Sequence, residues 1–420
     1  TRPRAALALT AAALAVALAG LGLISASAPV GAGVPSGPHP PGGPAWVVSL
    51  GDSYIAGAAG RWAGNTHAYA TSQIDALGPS AYADTGTSTD TAAHPPVASC
   101  RRSTSAEIHL GGVRSLNLAC SGARTSTSPY AGGDFTPGVD RYHDGRGHDG
   151  QVRQLQEFAR THRVRMVAVS VVGDDFGFSS IVQDCVRDYL LSTIVWRNYC
   201  HDDASVRSRF EPAAVAARTA DLTRSLSDIR TAMADAGYSA GDYGVVAQTY
   251  PSPVPSGSGL RYPEFAKTRQ TIGGCGFWNA DLTWANRTAL PAINSAVTGA
   301  VKASGLANAH VLDVSRLFED HRLCEKGTRK LYEQDPSNWR ADAAVNRSEW
   351  VANIRTVTAS AGPLGIAESL HPDYWGQLAL RNCLRQAYSG GAVRGGQCIT
   401  VDPGRNGSGE PNTRLLNPDR

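Results

Sequence analysis

Four short apolar runs constrain this chain more than any other feature. They are WVVSL at 46–50, VRMVAVSVV at 164–172, GVVAQTY at 244–250 and HVLDVS at 310–315. Runs of this kind, apolar and partly β-branched, fit strands buried on both faces of a parallel sheet. Helical patterns lie among them: QVRQLQEFARTH at 151–162, and a long stretch after Pro212 with Leu222, Leu226, Ile229 and Met233 at helical spacing. Another covers 279–304, with Leu282, Ala289, Ile293, Ala296 and Val297 on one side, and DYWGQLALRNCLRQAY follows Pro372. Strand alternating with helix predicts an α/β sandwich built on a parallel sheet. In open sheets of this class the functional groups gather beyond the carboxyl ends of the strands. Ser53 stands there for the first run, and Gly173-Asp174-Asp175 for the second. Residues 58–119, 251–278 and 316–367 break the alternation and are rich in Gly, Pro, Ser, Asn and Arg. They read as long loop insertions over the same end of the sheet.

A chain of 420 residues, 42% hydrophobic and 18% charged, is long enough for a substantial core. A net charge of +3 with no dense basic block argues against a nucleic-acid partner. Arg2 and Arg4 precede the apolar run AALALTAAALAVALAGLGLI, and Ala26-Ser27-Ala28 follows in an A-x-A arrangement. That is the layout of a secretory signal peptide, assigned to 1–28, with cleavage after Ala26 or Ala32 as alternatives. An uncleaved anchor is the rival reading, but the run is mostly Ala and only weakly hydrophobic. No later segment is apolar enough to span, so a secreted monomer with no stable membrane span is expected. Residues 29–45 form a Pro/Gly linker, 46–400 the folded domain and 401–420 a loose polar tail. Eight Cys in an exported chain predict disulfides. Pairing neighbours in sequence gives Cys100 with Cys120, Cys185 with Cys200, Cys275 with Cys324 and Cys383 with Cys398, one choice among 105. No CxxC pair suggests zinc or redox work.

Four segments carry chemistry. In SLGDSYIAG, Ser53 leaves a strand and enters a helix, where free backbone N–H groups favour a nearby anion. A serine hydroxyl needs a base to take its proton and an acid to orient that base. LHPDYWGQLALRNC places His371 at a helix start, with Glu368 three residues earlier. In NLACSGARTS, Gly122 allows close approach of a backbone N–H to a substrate oxygen. VSVVGDDFGFSSIVQDC ends a strand in Gly173-Asp174-Asp175. Taken singly, each has a plain structural reading as a turn, a cap or a solvated acid.

Taken in order, G-D-S-Y, ACSGA, the strand before FGFS and HPDYWGQLALRNC resemble the SGNH/GDSL hydrolases, above all the secreted actinobacterial lipases and esterases. The resemblance spans roughly 46–390 and implies a flavodoxin-like three-layer α/β/α sandwich. It implies Ser53 as nucleophile and oxyanion donor, Gly122 as a second donor, and His371 as general base and then acid. Glu368 fills the place of the acid that orients the histidine, a role that in some members falls to a backbone carbonyl. The third block departs from the family pattern G-x-N-D. Val172 replaces the first Gly, and Asp174 replaces the Asn whose side chain is the third donor. An ionised carboxylate only accepts hydrogen bonds, and loss of one oxyanion donor typically costs about 10²–10³ in turnover. Asp174 is then protonated, or turned away, or the mark of a lapsed enzyme. The resemblance implies a cofactor-independent serine ester hydrolase acting on a lipid, acylated-glycan or other small-molecule ester. Acyl transfer by the same serine, and a non-catalytic binding protein on this fold, are the alternatives. DRYHDGRGHDG at 140–150 gathers two His and three Asp, but its alternating Gly reads as a solvated loop and not as a metal site.

Overall fold

The computed structural model describes residues 40–67, 74–78, 81–82, 100–128, 135–193, 195–334, 336–355 and 368–417. The expected signal peptide at 1–28 and most of the expected linker fall outside the described residues. The four apolar runs form strands: β1 (Ala45–Gly51), β3 (Arg163–Ser170), β4 (Gly244–Gln248) and β5 (Ala309–Asp313), with β2 (Arg114–Asn117) added at one edge. The sheet order is β2-β1-β3-β4-β5-β6-β7. All neighbours from β2 to β6 (Gly396–Arg405) run parallel, and only β7 (Pro411–Leu416) is antiparallel. The first five strands follow the doubly wound order 2-1-3-4-5.

Helices cover both faces, which is why the central strands carry apolar side chains on both sides. The helices used below are α1 (Ser53–Ala56), α2 (Gln151–Ala159), α3 (Phe178–Leu191), α4 (Pro212–Asp235), α5 (Leu290–Ser304) and α6 (Tyr374–Tyr388). One core joins Val48, Leu50, Val167 and Val169 to Val152 and Leu155 of α2, Leu222, Leu226 and Ile229 of α4, and Ile293 and Val297 of α5. The other joins Val47, Met166, Ala168 and Val246 to Leu378, Leu380 and Leu384 of α6. Period-2 alternation along each strand sends its residues to the two cores in turn, giving the three-layer α/β/α sandwich.

Two expectations are corrected. Residues 401–416 are not a loose tail but the end of β6 and all of β7. The Cys383–Cys398 disulfide fastens β6 to α6. Side chains of α6 serve the backbone of β7: Asn382 Nδ2 donates to the Pro411 carbonyl (2.9 Å), and Gln386 Oε1 accepts from Leu415 N–H (2.9 Å). The stretch 58–119 is not wholly an insertion, because β2 lies within it. The four disulfides join Cys100–Cys120, Cys185–Cys200, Cys275–Cys324 and Cys383–Cys398, the neighbour pairing. Among the described residues no helix is long and apolar enough to cross a membrane.

Candidate active site

Three loops meet beyond the carboxyl ends of β1, β2 and β3. The first leaves β1 at Gly51, whose φ is +142°. A Cβ there would lie 1.9 Å from the Ser170 carbonyl oxygen, so only glycine lets the chain pass β3. Asp52 then caps α1 by accepting the Tyr54 N–H (3.0 Å), and Ser53 is the first helical residue. Its N–H points out of the helix start, where no helical acceptor exists.

His371 comes from the turn that precedes α6. Asp373 fixes that helix start by accepting N–H bonds from Trp375 (2.9 Å) and Gly376 (3.0 Å). The Tyr54 hydroxyl donates to the Leu370 carbonyl (2.7 Å), which ties the turn to α1. His371 Nε2 lies 2.6 Å from Ser53 Oγ, and Nδ1 lies 2.9 Å from the Ser369 carbonyl oxygen. A carbonyl only accepts, so Nδ1 carries the proton. Nε2 therefore presents its lone pair, and the Ser53 hydroxyl donates to it. Burial pushes His371 down to about 4, against the raising effect of the Ser369 and Glu368 carbonyls. The ring is neutral at physiological pH and ready to accept a proton.

Glu368 does not hold His371, which corrects the expectation from its spacing. Its Oε2 accepts the Trp62 indole N–H (2.6 Å), and its Oε1 accepts the Tyr82 hydroxyl. The 368–370 turn aims the carboxylate away from the imidazole, and the Ser369 carbonyl stands in its place. Trp62 lies 306 residues and Tyr82 286 residues upstream in sequence, so no local spacing announces them.

Gly122 sits in a turn at φ +79°. The Cys100–Cys120 disulfide and the bond from Ser121 N–H to the Cys100 carbonyl (3.1 Å) hold that turn beside β1. Gly122, Ser53, Asp174 and His371 line one cleft. The backbone N–H groups of Ser53 and Gly122 meet no acceptor among the described residues.

The third loop leaves β3 through Val172, a buried β-branched residue at φ +110°, a conformation L side chains rarely adopt. Gly173 donates its N–H to the Tyr250 hydroxyl (3.1 Å), and that hydroxyl donates to Asp52 Oδ2. One phenol thus spans the first and third loops, a part that nothing in GVVAQTY singled out. Asp175 accepts the Thr125 N–H (3.1 Å) and hydroxyl (2.7 Å). The carboxyl of Asp174, a half-buried residue, receives only a long bond from Ser179 Oγ (3.4 Å) among the described residues. Burial first, and then Asp175, push it up to about 6, while Arg124 and Ser179 pull the other way.

Two hollows meet at Ser53, on either side of the first turns of α3. One is a wide cleft of about 830 Å³ whose walls include Phe178, Val182, Val186 and Leu190 of α3, with Arg101 and Arg355 also lining it. The other is narrow and almost wholly apolar. It runs past Val254, Phe277 and Leu282 to Trp284, Ala289 and Ile293. A π-helical turn, Ala285–Ala289, forms part of its wall between a short helix, Asn279–Trp284, and α5. Within 140–150, His143 pairs with Asp149 (2.5 Å) and His148 with Asp144 (2.6 Å), while Asp140 accepts from Thr127. Among the described residues no group of three or more His, Cys, Asp or Glu side chains could hold a metal ion.

No family model and no curated protein matches the chain. Solved structures do. An extracellular lipase from Streptomyces rimosus is 19% identical, with a TM-score of 0.40, covering 82% of this chain and 99% of that one. Phospholipase A1 from Streptomyces albidoflavus NA297 is 18% identical, with a TM-score of 0.44 and the same coverages of 82% and 99%. The lipase Lip_vut3 from a goat rumen metagenome is 13% identical, with a TM-score of 0.34, covering 81% of this chain and 96% of that one. Identities this low and superpositions this loose do not carry those proteins' activities over to this chain. In the order of its motifs and in its α/β/α fold, the chain resembles the SGNH/GDSL hydrolases.

Proposed function

We propose that this chain is a secreted serine ester hydrolase that works through an acyl-enzyme. The observation that carries the reading is the 2.6 Å contact between Ser53 Oγ and His371 Nε2, with the Ser369 carbonyl fixing the far ring nitrogen. A nucleophile, a base in the right tautomer and an orienting group are what acyl transfer requires. Ser53 Oγ forms a bond to the ester carbonyl carbon while its proton passes to Nε2. The carbonyl electron pair moves onto oxygen, where the N–H groups of Ser53 and Gly122 receive it. As the carbonyl reforms, the C–O bond to the alcohol breaks and the alkoxide takes the proton from His371. Water, deprotonated by the same nitrogen, then releases the acid.

The narrow apolar hollow supports an acyl chain as the part bound beside Ser53. Hydroxyls or amides placed there would lose their hydrogen bonds to water without replacement. The wide cleft, which Arg101 and Arg355 help to line, then takes the alcohol portion. The test is turnover of p-nitrophenyl esters and labelling by a fluorophosphonate. Wild type hydrolyses the ester and is labelled at Ser53, and Ser53→Ala loses both. If Ser53→Ala hydrolyses as fast as wild type, the proposal fails.

A further inference from the structure

We infer that the far end of α3 and the loop after it form a docking surface for phospholipid membranes, placed beside the mouth of the cleft that holds Ser53. Its use rests on the reading of Ser53 as the nucleophile of an ester hydrolase, but the surface itself needs no catalysis. Among the described residues five large apolar side chains are strongly exposed, and four of them gather at this corner: Leu191, Val195, Trp196 and Phe265. Val195 is 83% exposed and Trp196 81%. Apolar side chains standing together in water gain free energy when something covers them, and contiguous patches of this kind mark interaction sites.

The corner is fastened in place. The Cys185–Cys200 disulfide closes the segment that carries it. Inside that segment Thr193 N–H donates to the Trp196 carbonyl (3.1 Å), Trp196 N–H to Thr193 Oγ1 (3.1 Å) and Asn198 N–H to Ser192 Oγ (2.8 Å). Residues 264–267 brace it from the side. Lys267 Nζ donates to the Leu190 carbonyl (3.3 Å), and the Tyr189 hydroxyl lies 3.0 Å from the carbonyl oxygens of Glu264 and Ala266. The Arg197 guanidinium sits over the rings of Phe265 (4.5 Å) and Trp278 (5.5 Å). Val195 and Trp196 therefore project from a bonded loop.

Two observations choose a phospholipid surface as the occupant. The first is continuity. Phe178 lines the cleft together with Ser53, Val182, Val186 and Leu190 carry the apolar wall along α3, and Leu191 belongs both to that wall and to the exposed patch. The second is charge. On 186–198 and 264–268 the exposed charged side chains are Arg187, Arg197 and Lys267, all cations. The acids there are withdrawn: Asp188 is buried, and the half-buried Glu264 accepts the Asn279 N–H (2.8 Å). An apolar tip ringed by cations suits a bilayer, where a Trp ring settles at headgroup level and Arg and Lys reach lipid phosphates on their long stems. Docked there, the cleft takes an ester from the membrane along the wall of α3. Val195 and Trp196 line neither hollow, so docking and chemistry are separable.

The experiment is co-sedimentation with sucrose-loaded vesicles of phosphatidylcholine and phosphatidylglycerol, using Ser53→Ala as the parent so that no lipid is consumed. The parent should bind, and adding Val195→Ser and Trp196→Ser together should weaken binding at least about tenfold, because two large apolar contacts are lost. Salt should weaken the parent's binding by screening its cations. Brominated lipid should quench tryptophan fluorescence in the parent, and Trp196→Phe should remove most of that quenching while vesicles are still bound. With Ser53 intact, the double serine variant should turn over a soluble four-carbon p-nitrophenyl ester within about twofold of wild type. If the parent does not bind, if the double variant binds equally well, or if the quenching survives Trp196→Phe, the inference is overturned. It is also overturned if the patch proves to join two copies, seen as a dimer that the double variant makes monomeric with no vesicle binding by either. If vesicles bind as expected but Ser53→Ala hydrolyses the soluble ester as fast as wild type, the hydrolase reading falls and the docking surface stands. The quenching arm decides the matter even if the double variant fails to fold.

Discussion

Replacing Glu368 by Gln separates the two ways of holding His371. If the carboxylate oriented the imidazole, its amide would favour the wrong tautomer, and such changes in catalytic triads cost about 10⁴ in kcat. In this structure the Ser369 carbonyl receives Nδ1–H at 2.9 Å and does not depend on the Glu368 side chain. Glu368→Gln should therefore keep kcat within about tenfold of wild type. The cost should appear in stability instead. The carboxylate accepts from Trp62 Nε1 and from the Tyr82 hydroxyl. A glutamine oxygen can keep one of these bonds, and its NH₂ must face the other partner. Tyr82 can turn to accept from that NH₂, whereas an indole N–H cannot. The net loss is the charged character of one or two hydrogen bonds, about 1–3 kcal/mol. Urea unfolding at neutral pH measures it, and ester turnover on the same preparation gives kcat. A thousandfold loss of kcat at unchanged stability would falsify the assignment of the Ser369 carbonyl as the orienting group.

Two further predictions concern the hollow and the loops. Ala289→Trp places an indole in the narrow cavity that Ala289 lines. The ratio of kcat/KM for a twelve-carbon to a four-carbon p-nitrophenyl ester should fall at least about tenfold, and an equal loss for both would argue against an acyl-chain site. Replacing Cys275 and Cys324 together by Ser frees a link across a sequence separation of 49 residues. The loop-entropy relation puts the loss at about 4 kcal/mol; urea unfolding without reductant reads it, and a change below 1 kcal/mol would contradict it.

The central sheet was legible because its strands are buried on both faces and so stand out as apolar runs. β1, β3, β4 and β5 all fall where those runs lie. β2 escaped notice because four residues reading RSLN carry no pattern, and its pairing to β1 is what makes it a strand. The hairpin of β6 and β7 contains Pro, Gly and Asn, and its order comes from a disulfide and from α6 side chains. At the site, Ser53, Gly122, Asp174 and His371 were readable from short motifs, and the structure brings them to one cleft. The partner of His371 was not readable. Spacing marks which residues are near in the chain, but the direction of a turn decides whether a side chain or a carbonyl faces the ring. Tyr250 gave no signal either, since its role depends on β4 lying beside β3.

The phenol of Tyr250 has a mechanical consequence. It accepts from Gly173 and donates to Asp52, so the loop bearing the nucleophile and the loop bearing Asp174 are fastened to one rigid ring. Neither loop can drift without drawing the other along. Thermal breathing between β1 and β3 then moves Ser53 and Asp174 as one body, and the gap between them, where an error of 1 Å can cost about 10² in rate, is shielded from the flexing of the sheet beneath.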